Sequence, residues 1–396
     1  KKLAAAASLS AMSEGVLPPI AFRPRLERLR VVAPLLLRSD VCAFVLLVVL
    51  PAPLYVYIAV RAVTGDRHGS NFLSFWQAGR HVLRAQTPYP LLDALPAVAD
   101  RLTFEPFVYP APAAYWMIPL SILPFALAKT LFLALNIGSI VVGLRMLGVR
   151  DWRCHAAVFA SVPVVAGTSL GTFSPLLLLG VAAAWRYRET TMRLGAIVAV
   201  LIVAKLFLWP LWLWLVYTRR FGAAVVAATA GVALTIAAWW GIGFGGFREY
   251  PRLLSRLTEL VGTNSYSPYA LIHAAGLSGA TAQRLVLVGG AVLVVLAAWR
   301  FRVVRTDERA FVGALGIALL LTPILWPHYL VLLYIPIALL RRTFSALWLL
   351  PLLMWFDGNG WSYGEPARVV PFLLLCAVPF VLALRQRPLA RLKLST

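Results

Sequence analysis

The sequence predicts an all-α polytopic integral membrane protein, and three observations lead to this prediction. The 396 residues are 61% hydrophobic and 13% charged, whereas a soluble domain is about half apolar and a quarter charged. Runs such as residues 41–60 and 221–240 carry no charge, and about 20 helical residues cross roughly 30 Å of hydrocarbon. The basic residues lie in short clusters between such runs. We expect a bundle of about 10–12 transmembrane or re-entrant helices.

The formal net charge of +22 predicts which loops face the cytoplasm. No motif for reading nucleic acid accompanies this charge, so the positive-inside rule explains the clusters better. The first 38 residues and six clusters hold 25 Lys and Arg against seven Asp and Glu, counting Asp40. The three other loops hold seven Lys and Arg against eight Asp and Glu. The clusters predicted to be cytoplasmic are residues 145–153, 186–193, 219–220, 300–309, 341–342 and 385–393, and the loops predicted to be external are residues 62–110, 244–280 and 356–366.

These assignments predict one membrane domain between two basic tails. Residues 1–38 are expected to form a cytoplasmic tail, residues 39–385 the membrane domain, and residues 386–396 a second cytoplasmic tail. The three cysteines are far apart in the sequence. They therefore predict neither a metal site nor a disulfide framework. Separately, we expect no cofactor.

Apolar segments between successive cytoplasmic clusters must leave the cytoplasmic side and return to it. Residues 154–185, 310–340 and 343–384 can each form a helical hairpin. Residues 194–217 number only 24, so they either cross once or form a re-entrant hairpin broken at Pro210. A single crossing would place the following basic pair outside, and we therefore favour the broken hairpin.

Every proposed hairpin tip is interrupted by glycine or proline. Non-helical backbone at membrane depth is tolerated where it lines a cavity or is buried in protein. The tips therefore predict a site on the external side of the bundle. They are residues 167–175, 206–210, 322–327 and 356–366.

The first external loop predicts structure of its own, because it is long for an irregular connection. FLSFWQAGRHVL at residues 72–83 has a helical apolar stripe with basic residues opposite, which suits a helix on the membrane surface. Ser70 or Asn71 can cap this helix. A second short helix is possible within residues 87–102, and the proline-rich residues 109–124 are expected to dip in and pack.

Two ionisable residues lie in the broken tips, where such residues are rare and usually functional. Lys205 and His328 each lie close to a Trp-Pro pair. A lysine ammonium suits a phosphate, and an imidazole can donate to phosphate oxygens. The alternatives are that Lys205 extends to the interface and that His328 bonds a carbonyl released by Pro327. The two tryptophans of these pairs fit an interfacial belt equally well.

The external loops also supply carboxylates, one of which could act as a general base on an acceptor hydroxyl. A solvated surface charge is the alternative for each of them. In the first loop these are Asp66, Asp93, Asp100 and Glu105, and Asp357 in the last tip is a weaker candidate.

Six segments resemble one family in their order along the chain. They are NFLSFWQAGRHVLRAQTPYP, FVYPAPAAYWMIPLSILP, GTFSPLLLLG, AKLFLWPLWLWLVYTRRF, SPYALIHAAGL and TPILWPHYLVLL. Together they resemble glycosyltransferase family 87, the membrane mannosyltransferases with the GT-C fold that use polyprenyl-phosphate-mannose. The resemblance covers about residues 40–342.

The resemblance implies a polyprenyl-phosphate-sugar donor, a glycolipid or polysaccharide acceptor, and an active site on the external face of a bacterial plasma membrane. It implies no nucleotide sugar and no obligatory metal. The loop 62–110 would carry the catalytic base, and Lys205 and His328 would hold the donor phosphate. The other residues expected to bind substrate are Trp76, Arg80, Tyr89, Glu105 and Tyr109, the aromatic ones by stacking on sugar faces.

One departure from the family pattern concerns the base. The family has an acid where this chain has Asn71, and an amide cannot take a proton from a sugar hydroxyl. Three explanations stay open. Asp66 reaches the site, another residue such as Glu105 or His328 acts as the base, or the chain binds lipid-linked sugar without transferring it. The GTFSP turn also departs from the family, so acceptor contacts there are not carried over.

Two other functions fit parts of the pattern. A transporter or flippase for polyprenyl-linked sugars would also show broken helices and buried charges. The absence of a detectable repeat and the long first loop argue against it. A catalytically inactive homologue is favoured by Asn71 alone. Mannose is the family default, and arabinofuranose fits the sequence as well.

Overall fold

A computed structural model describes residues 39–68, 70–95, 106–301, 307–357 and 362–385. These residues form helices and no strand, which confirms the all-α prediction. The contacts divide the chain into residues 1–43 and 44–396. The described residues of the first unit are residues 39–43, which include the start of a helix. The two predicted tails, Asp100 and Glu105 lie outside the described residues, as does most of the possible helix within 87–102, of which the short turn Leu92–Ala94 is described.

Eighteen helices, several joined by 3-10 segments, make up the part of the chain that is described. In chain order they are α1 (Asp40–Val63), α2 (Asn71–Leu83), α3 (Ala111–Trp116), α4 (Ile118–Ser121), α5 (Phe125–Met146), α6 (Trp152–Phe159), α7 (Val162–Leu170), α8 (Ser174–Arg186), α9 (Thr191–Ala204), α10 (Pro210–Tyr217), α11 (Phe221–Gly241), α12 (Tyr250–Val261), α13 (Pro268–Ala274), α14 (Gly279–Phe301), α15 (Asp307–Leu321), α16 (Tyr334–Leu340), α17 (Ala346–Leu349) and α18 (Pro366–Arg385).

Five of these helices, α1, α5, α11, α14 and α18, are long and apolar enough to cross a membrane. A sixth span is possible if the bent pair α7 and α8 counts as one. Four shorter apolar helical segments accompany them in the described residues. Length and composition therefore define a multi-pass membrane protein, as the sequence predicts.

The pair α7 and α8 changes direction by 118° at the first predicted tip. Gly171, which ends α7, has a φ of +67°, in the left-handed region. A Cβ there would lie 2.9 Å from the Cβ of Phe72. Glycine is required here because it permits both the turn and the close approach of α2.

The segment 194–217 is a broken hairpin, as we favoured. Gly195 of α9 lies against Val226, and Val203 lies against Gly231, so α9 and α11 run parallel. The indole of Trp212 in α10 donates to the carbonyl of Ala224 at 3.0 Å, which shows that α10 returns toward the start of α9.

The break in this hairpin falls at Lys205, earlier than the predicted Pro210. Lys205 follows α9 in extended backbone, with φ of −148° and ψ of 106°. The 3-10 turn Leu206–Leu208 follows, and Pro210 is the first residue of α10. Proline favours this position, because its missing N–H would have no helical partner there.

The basic clusters meet at one end of the helices. Arg220 pairs with Asp307 at 2.6 Å and with Glu189 at 3.2 Å, and Arg188 pairs with Asp307 at 3.2 Å. Three clusters predicted on one side of the membrane, 186–193, 219–220 and 300–309, therefore touch one another in their described residues.

The clusters 145–153 and 341–342 belong to the same end. The backbone N–H of Phe344 donates to Asp151 at 3.0 Å, and the charges of Arg188 and Arg342 both act on Glu308. We call this end of the bundle the ionic end. The 14 residues of α9 rise about 21 Å from it, so Lys205 lies near the other end.

Helix α2 forms where the sequence predicts it, but its apolar stripe is buried against protein. Gly79 lies so close to Ser121 that a Cβ would come within 2.1 Å of its hydroxyl, and the Trp76 indole donates to the carbonyl of Leu123 at 3.1 Å. Ser70 occupies the N-cap position without a side-chain hydrogen bond. The helix therefore forms a wall of the bundle, held by α3 and α4.

Candidate functional site

A cavity of about 410 Å³ lies between α2, α7 and the broken tips. We call it the central cavity. Each of the four tips, or the residue directly beside it, contributes a polar side chain to the wall: Ser169, Lys205, His328 and Asp357. The wall also carries the amide of Asn71 and the hydroxyls of Ser74, Tyr109 and Tyr329. Helix breaks far apart in the sequence thus surround one space.

Lys205 reaches the central cavity through the break after α9. Its ammonium donates to the hydroxyl of Tyr329 at 2.6 Å. It also lies 4.0 Å from the ring centroid of Tyr109 and 4.4 Å from that of Tyr329. In the described part of the chain, no carboxylate lies within ion-pair distance of this ammonium. Two aromatic faces and a neutral hydroxyl therefore surround the ammonium without neutralising it.

His328 enters from the turn before α16 and is 4% exposed. Trp326 has extended backbone, as a residue before proline prefers, and Pro327 begins the 3-10 segment Pro327–Leu333. The centroids of the imidazole and of the Tyr329 ring lie 4.7 Å apart in an edge-to-face arrangement. The hydroxyl of the same tyrosine accepts the hydrogen bond from Lys205. The two basic residues thus share one region of the wall.

The turn that carries His328 is held by the residues before α13. The hydroxyl of Ser267 donates to the carbonyl of Pro323 at 2.8 Å. The backbone N–H of Tyr266 donates to the carbonyl of Leu325 at 2.9 Å. These bonds satisfy carbonyls that a broken helix leaves without partners. They therefore fix the position of the imidazole.

Asp357 lies at the end of the 3-10 segment Leu350–Asp357 and is 7% exposed. The hydroxyl of Tyr266 donates to its Oδ2 at 2.7 Å, and a guanidinium nitrogen of Arg368 lies 3.8 Å from Oδ1. Among the described residues of the cavity wall it is the one carboxylate. From the sequence, Asp357 was the weakest of the candidate acids. Its position on the cavity wall makes it a stronger candidate for the general base.

The expected substrate residues divide between the central cavity and other places. Tyr109 lies on the cavity wall. Tyr89 is buried behind it, donates to its carbonyl at 2.9 Å, and stacks on Trp239 at 5.2 Å. Trp76 and Arg80 line a separate pocket on the outer side of α2. The structure therefore brings one of these four to the cavity.

Asn71 is the first residue of α2 and lies on the wall of the central cavity. Asp66 does not line it. The backbone N–H of His68 and the Arg61 guanidinium hold the pKa of the Asp66 carboxyl well below its usual range. Such a carboxylate is a weak base. Its backbone carbonyl accepts a hydrogen bond from Lys129, which makes Asp66 part of the junction between α1 and α5.

A metal is not needed to explain this group of residues. Within the described ranges, no three residues of His, Cys, Asp or Glu are grouped so that they could hold a metal ion. The wall instead offers two basic groups, one carboxylate and several hydroxyls among apolar side chains. This combination suits a ligand with an anionic group and hydroxyls.

The fold and the cavity define a multi-pass helical membrane protein with a polar cavity at its broken helix tips. The sequence model of glycosyltransferase family 87 matches residues 107–327, more than half of the chain. The chain therefore belongs to glycosyltransferase family 87. No curated protein and no solved structure matches the chain. The match includes Tyr109 and Lys205 and ends one residue before His328.

Proposed function

We propose that the protein transfers a sugar, with mannose favoured, from a polyprenyl-phosphate donor to a glycan acceptor on the external face of the membrane. One observation carries the proposal: Lys205 and His328, from two different broken helices, line the same cavity. Two adjacent basic groups in a buried cavity disfavour each other's charged forms, and a bound anion offsets this effect. The family supports glycosyl transfer in general.

The donor phosphate would lie between these two basic groups. The Lys205 ammonium is held by the Tyr329 hydroxyl and keeps donors for a second ligand, because an ammonium has three. When the bond from the anomeric carbon to the phosphate oxygen breaks, its electron pair stays on the phosphate. Lys205 and His328 would stabilise this developing charge, and such preorganised stabilisation is usually the largest catalytic contribution.

An apolar groove beside Lys205 would hold the polyprenyl chain. It has a volume of about 480 Å³ and lies between the hairpin of α9 and α10 and helix α11. Leu206, the residue after Lys205, lines it together with Trp209 and Trp212. The groove wall is almost entirely apolar, so it would suit a hydrocarbon tail whose phosphate is bound by the ammonium.

Asp357 would act as the general base in place of the missing acid at residue 71. Its carboxylate would take the proton of the acceptor hydroxyl while that oxygen attacks the anomeric carbon. The Tyr266 hydroxyl on Oδ2 fixes the orientation of the carboxylate. A single displacement of this kind inverts the anomeric configuration of the sugar.

The test is incubation of the purified full chain with radiolabelled polyprenyl-phosphate sugars and a glycolipid acceptor extract. We expect a labelled lipid product from one donor, with inverted anomeric configuration. A matched pair of variants checks the site: His328→Ala should abolish the product, whereas His81→Ala, on the exposed side of α2, should leave it unchanged. Absence of product from every donor would contradict the proposal.

Asn71 supports the second candidate, a homologue that binds lipid-linked sugar without transferring it. The residue lies on the cavity wall at the position where the family has its acid. Asn71→Asp distinguishes the two functions. A large gain of product in Asn71→Asp would show that the natural chain has lost its base and with it most of its transfer activity. Unchanged product in Asn71→Asp, together with loss of product on further substitution of Asp357, would show that Asp357 is the base. Movement of labelled lipid across vesicles without any product would instead favour a transporter.

A further inference from the structure

Three arginines meet in a second pocket, on the side of α2 that faces away from the central cavity. The pocket has a volume of about 530 Å³, and Arg67, Arg80 and Arg84 line it. None of the three lines the central cavity. We call it the arginine pocket. Asn71 and Ser74 line the central cavity, whereas Arg80 and Arg84 line the second pocket, so the two sites use opposite sides of α2.

Among the described residues, no acid pairs with the arginines of this pocket. In the ranges that the structure describes, no ion pair joins a carboxylate to Arg67, Arg80 or Arg84. The nearest acid in sequence, Asp66, is bonded to Arg61 and His68 instead. Three exposed positive charges around one concavity attract an anion strongly, and arginine binds phosphate with two parallel hydrogen bonds.

Aromatic rings orient two of the guanidinium groups. The Arg80 guanidinium carbon lies 4.6 Å from the ring centroid of Trp76, and that of Arg67 lies 5.4 Å from the ring centroid of Phe125. Stacking on a ring fixes a guanidinium while its N–H edge stays available for hydrogen bonds. The pocket is thus partly organised before any ligand arrives.

The position of the arginine pocket relative to the candidate membrane spans indicates what kind of ligand it binds. Helix α1 ends at Val63, four residues before Arg67, and Phe125 under Arg67 is the first residue of α5. Both helices are candidate membrane spans, so Arg67 lies beside the ends of two candidate spans. Two apolar side chains of the same pocket are open to the surroundings, with Leu83 50% and Ile122 69% exposed.

We propose that the arginine pocket binds the phosphate of an anionic phospholipid from the surrounding leaflet. The three guanidinium groups would hold the phosphate, and Leu83 and Ile122 would contact the start of an acyl chain. Trp76, at the floor of the pocket, is typical of the interfacial level of a bilayer. Trp76 and Arg80, which the sequence assigned to the sugar substrate, would serve this lipid instead.

The test uses the full chain purified in a neutral detergent and titrated with dioleoylphosphatidylglycerol or dioleoylphosphatidylcholine. Native mass spectrometry reports how much lipid stays bound. We expect retention of the anionic lipid at concentrations where the neutral lipid is not retained. The triple variant Arg67→Gln, Arg80→Gln, Arg84→Gln should weaken binding of the anionic lipid about 100-fold, from the contribution of each arginine near a lipid surface.

A matched control variant loses the same number of positive charges at another place on the protein. Arg248, Arg252 and Arg256 also lie in an external loop of the predicted topology, and they line neither the central cavity nor the arginine pocket. Their triple glutamine variant should keep the lipid. Equal loss in both triple variants would show general surface attraction and overturn the proposal.

A second experiment distinguishes binding of the whole lipid from binding of its phosphate headgroup alone. Soluble sn-glycerol 3-phosphate should bind at least about tenfold more weakly than the lipid, because it cannot contact Leu83 and Ile122. The double variant Leu83→Ser, Ile122→Ser should narrow that difference. Equal binding of the soluble phosphate and the lipid by the wild-type chain would assign the pocket to a soluble anion and contradict the lipid.

Discussion

The ammonium of Lys205 donates a hydrogen bond to the hydroxyl of Tyr329 at 2.6 Å, although 124 residues separate the two in sequence. Tyr329 in turn stacks on Phe207 at 5.1 Å and follows His328 directly. One tyrosine therefore connects the second broken tip to the third. This connection places both basic residues on the wall of the central cavity.

Removal of the tyrosine hydroxyl tests how this connection acts. In Tyr329→Phe the ring and its stacking remain, but the ammonium loses its neutral partner and its fixed position. We expect sugar transfer to fall about tenfold, a typical loss for one hydrogen bond to a charged group. Transfer is measured at saturating donor, alongside Tyr57→Phe on the exposed surface of α1. Equal activity of both variants would show that the hydroxyl does not position Lys205.

Asp357→Asn separates the base from the phosphate site. The amide keeps the shape of the side chain but cannot accept a proton, so we expect turnover to fall by about 10²- to 10⁴-fold. Donor binding should persist, because Lys205 and His328 are unchanged. The control is Asp93→Asn, an exposed acid in the first loop. Loss of donor binding together with turnover would mean that Asp357 holds the fold or the donor.

Asp66→Asn is expected to affect stability more than transfer. The pKa of the Asp66 carboxyl is lowered in the folded chain, first by the His68 N–H and then by Arg61. A lowered pKa contributes stability above the ordinary pKa of an aspartate, and that stability is lost as the pH falls below it. Thermal unfolding should therefore show a lower midpoint for the variant at pH 7 and a smaller difference near pH 3.

The same variant also tests the remaining explanation for the base. Asp66 does not line the central cavity, so transfer by the folded Asp66→Asn protein should stay within about threefold of wild type. This threshold corresponds to about 0.65 kcal/mol. Abolition of transfer at unchanged stability would make Asp66 the base and would remove that role from Asp357.

Gly171→Ala tests the bend between α7 and α8. The substitution places a Cβ at a positive φ and 2.9 Å from the Cβ of Phe72, so we expect a loss of about 1–3 kcal/mol in stability. The control Gly138→Ala lies within α5 with no atom within 4 Å of the added Cβ. It should be neutral or slightly stabilising. Thermal unfolding in one detergent compares the two, and equal midpoints would contradict the packing at the bend.

Much of this arrangement follows from the sequence, because charge and proline act locally. The arginine clusters predicted the return of residues 194–217, and the parallel course of α9 and α11 confirms it. The interrupted tips predicted a cavity, and Lys205 and His328 both line it. Each of these inferences needs only the length of a segment, its charge and its breaks.

The rest depends on contacts between distant segments. The carboxylate of Asp357 is positioned by the hydroxyl of Tyr266, which lies 91 residues away in the sequence. The residues around Asp357 do not indicate this partner. The apolar stripe of α2 predicted an amphipathic helix, but periodicity does not distinguish protein from lipid as the neighbour of Trp76. Similarly, an aromatic residue such as Tyr89 has the same sequence signature whether it stacks on a sugar or on Trp239.

The most direct test of the account is donor binding and transfer by Lys205→Met, a variant of similar length without charge. Purified chains are compared with the same radiolabelled polyprenyl-phosphate sugar, at equal expression and equal thermal stability. We predict that both donor retention and product formation fall by about 100-fold or more, since the ammonium would hold the phosphate before and during its departure. Wild-type binding and turnover in both Lys205→Met and His328→Ala would contradict the account.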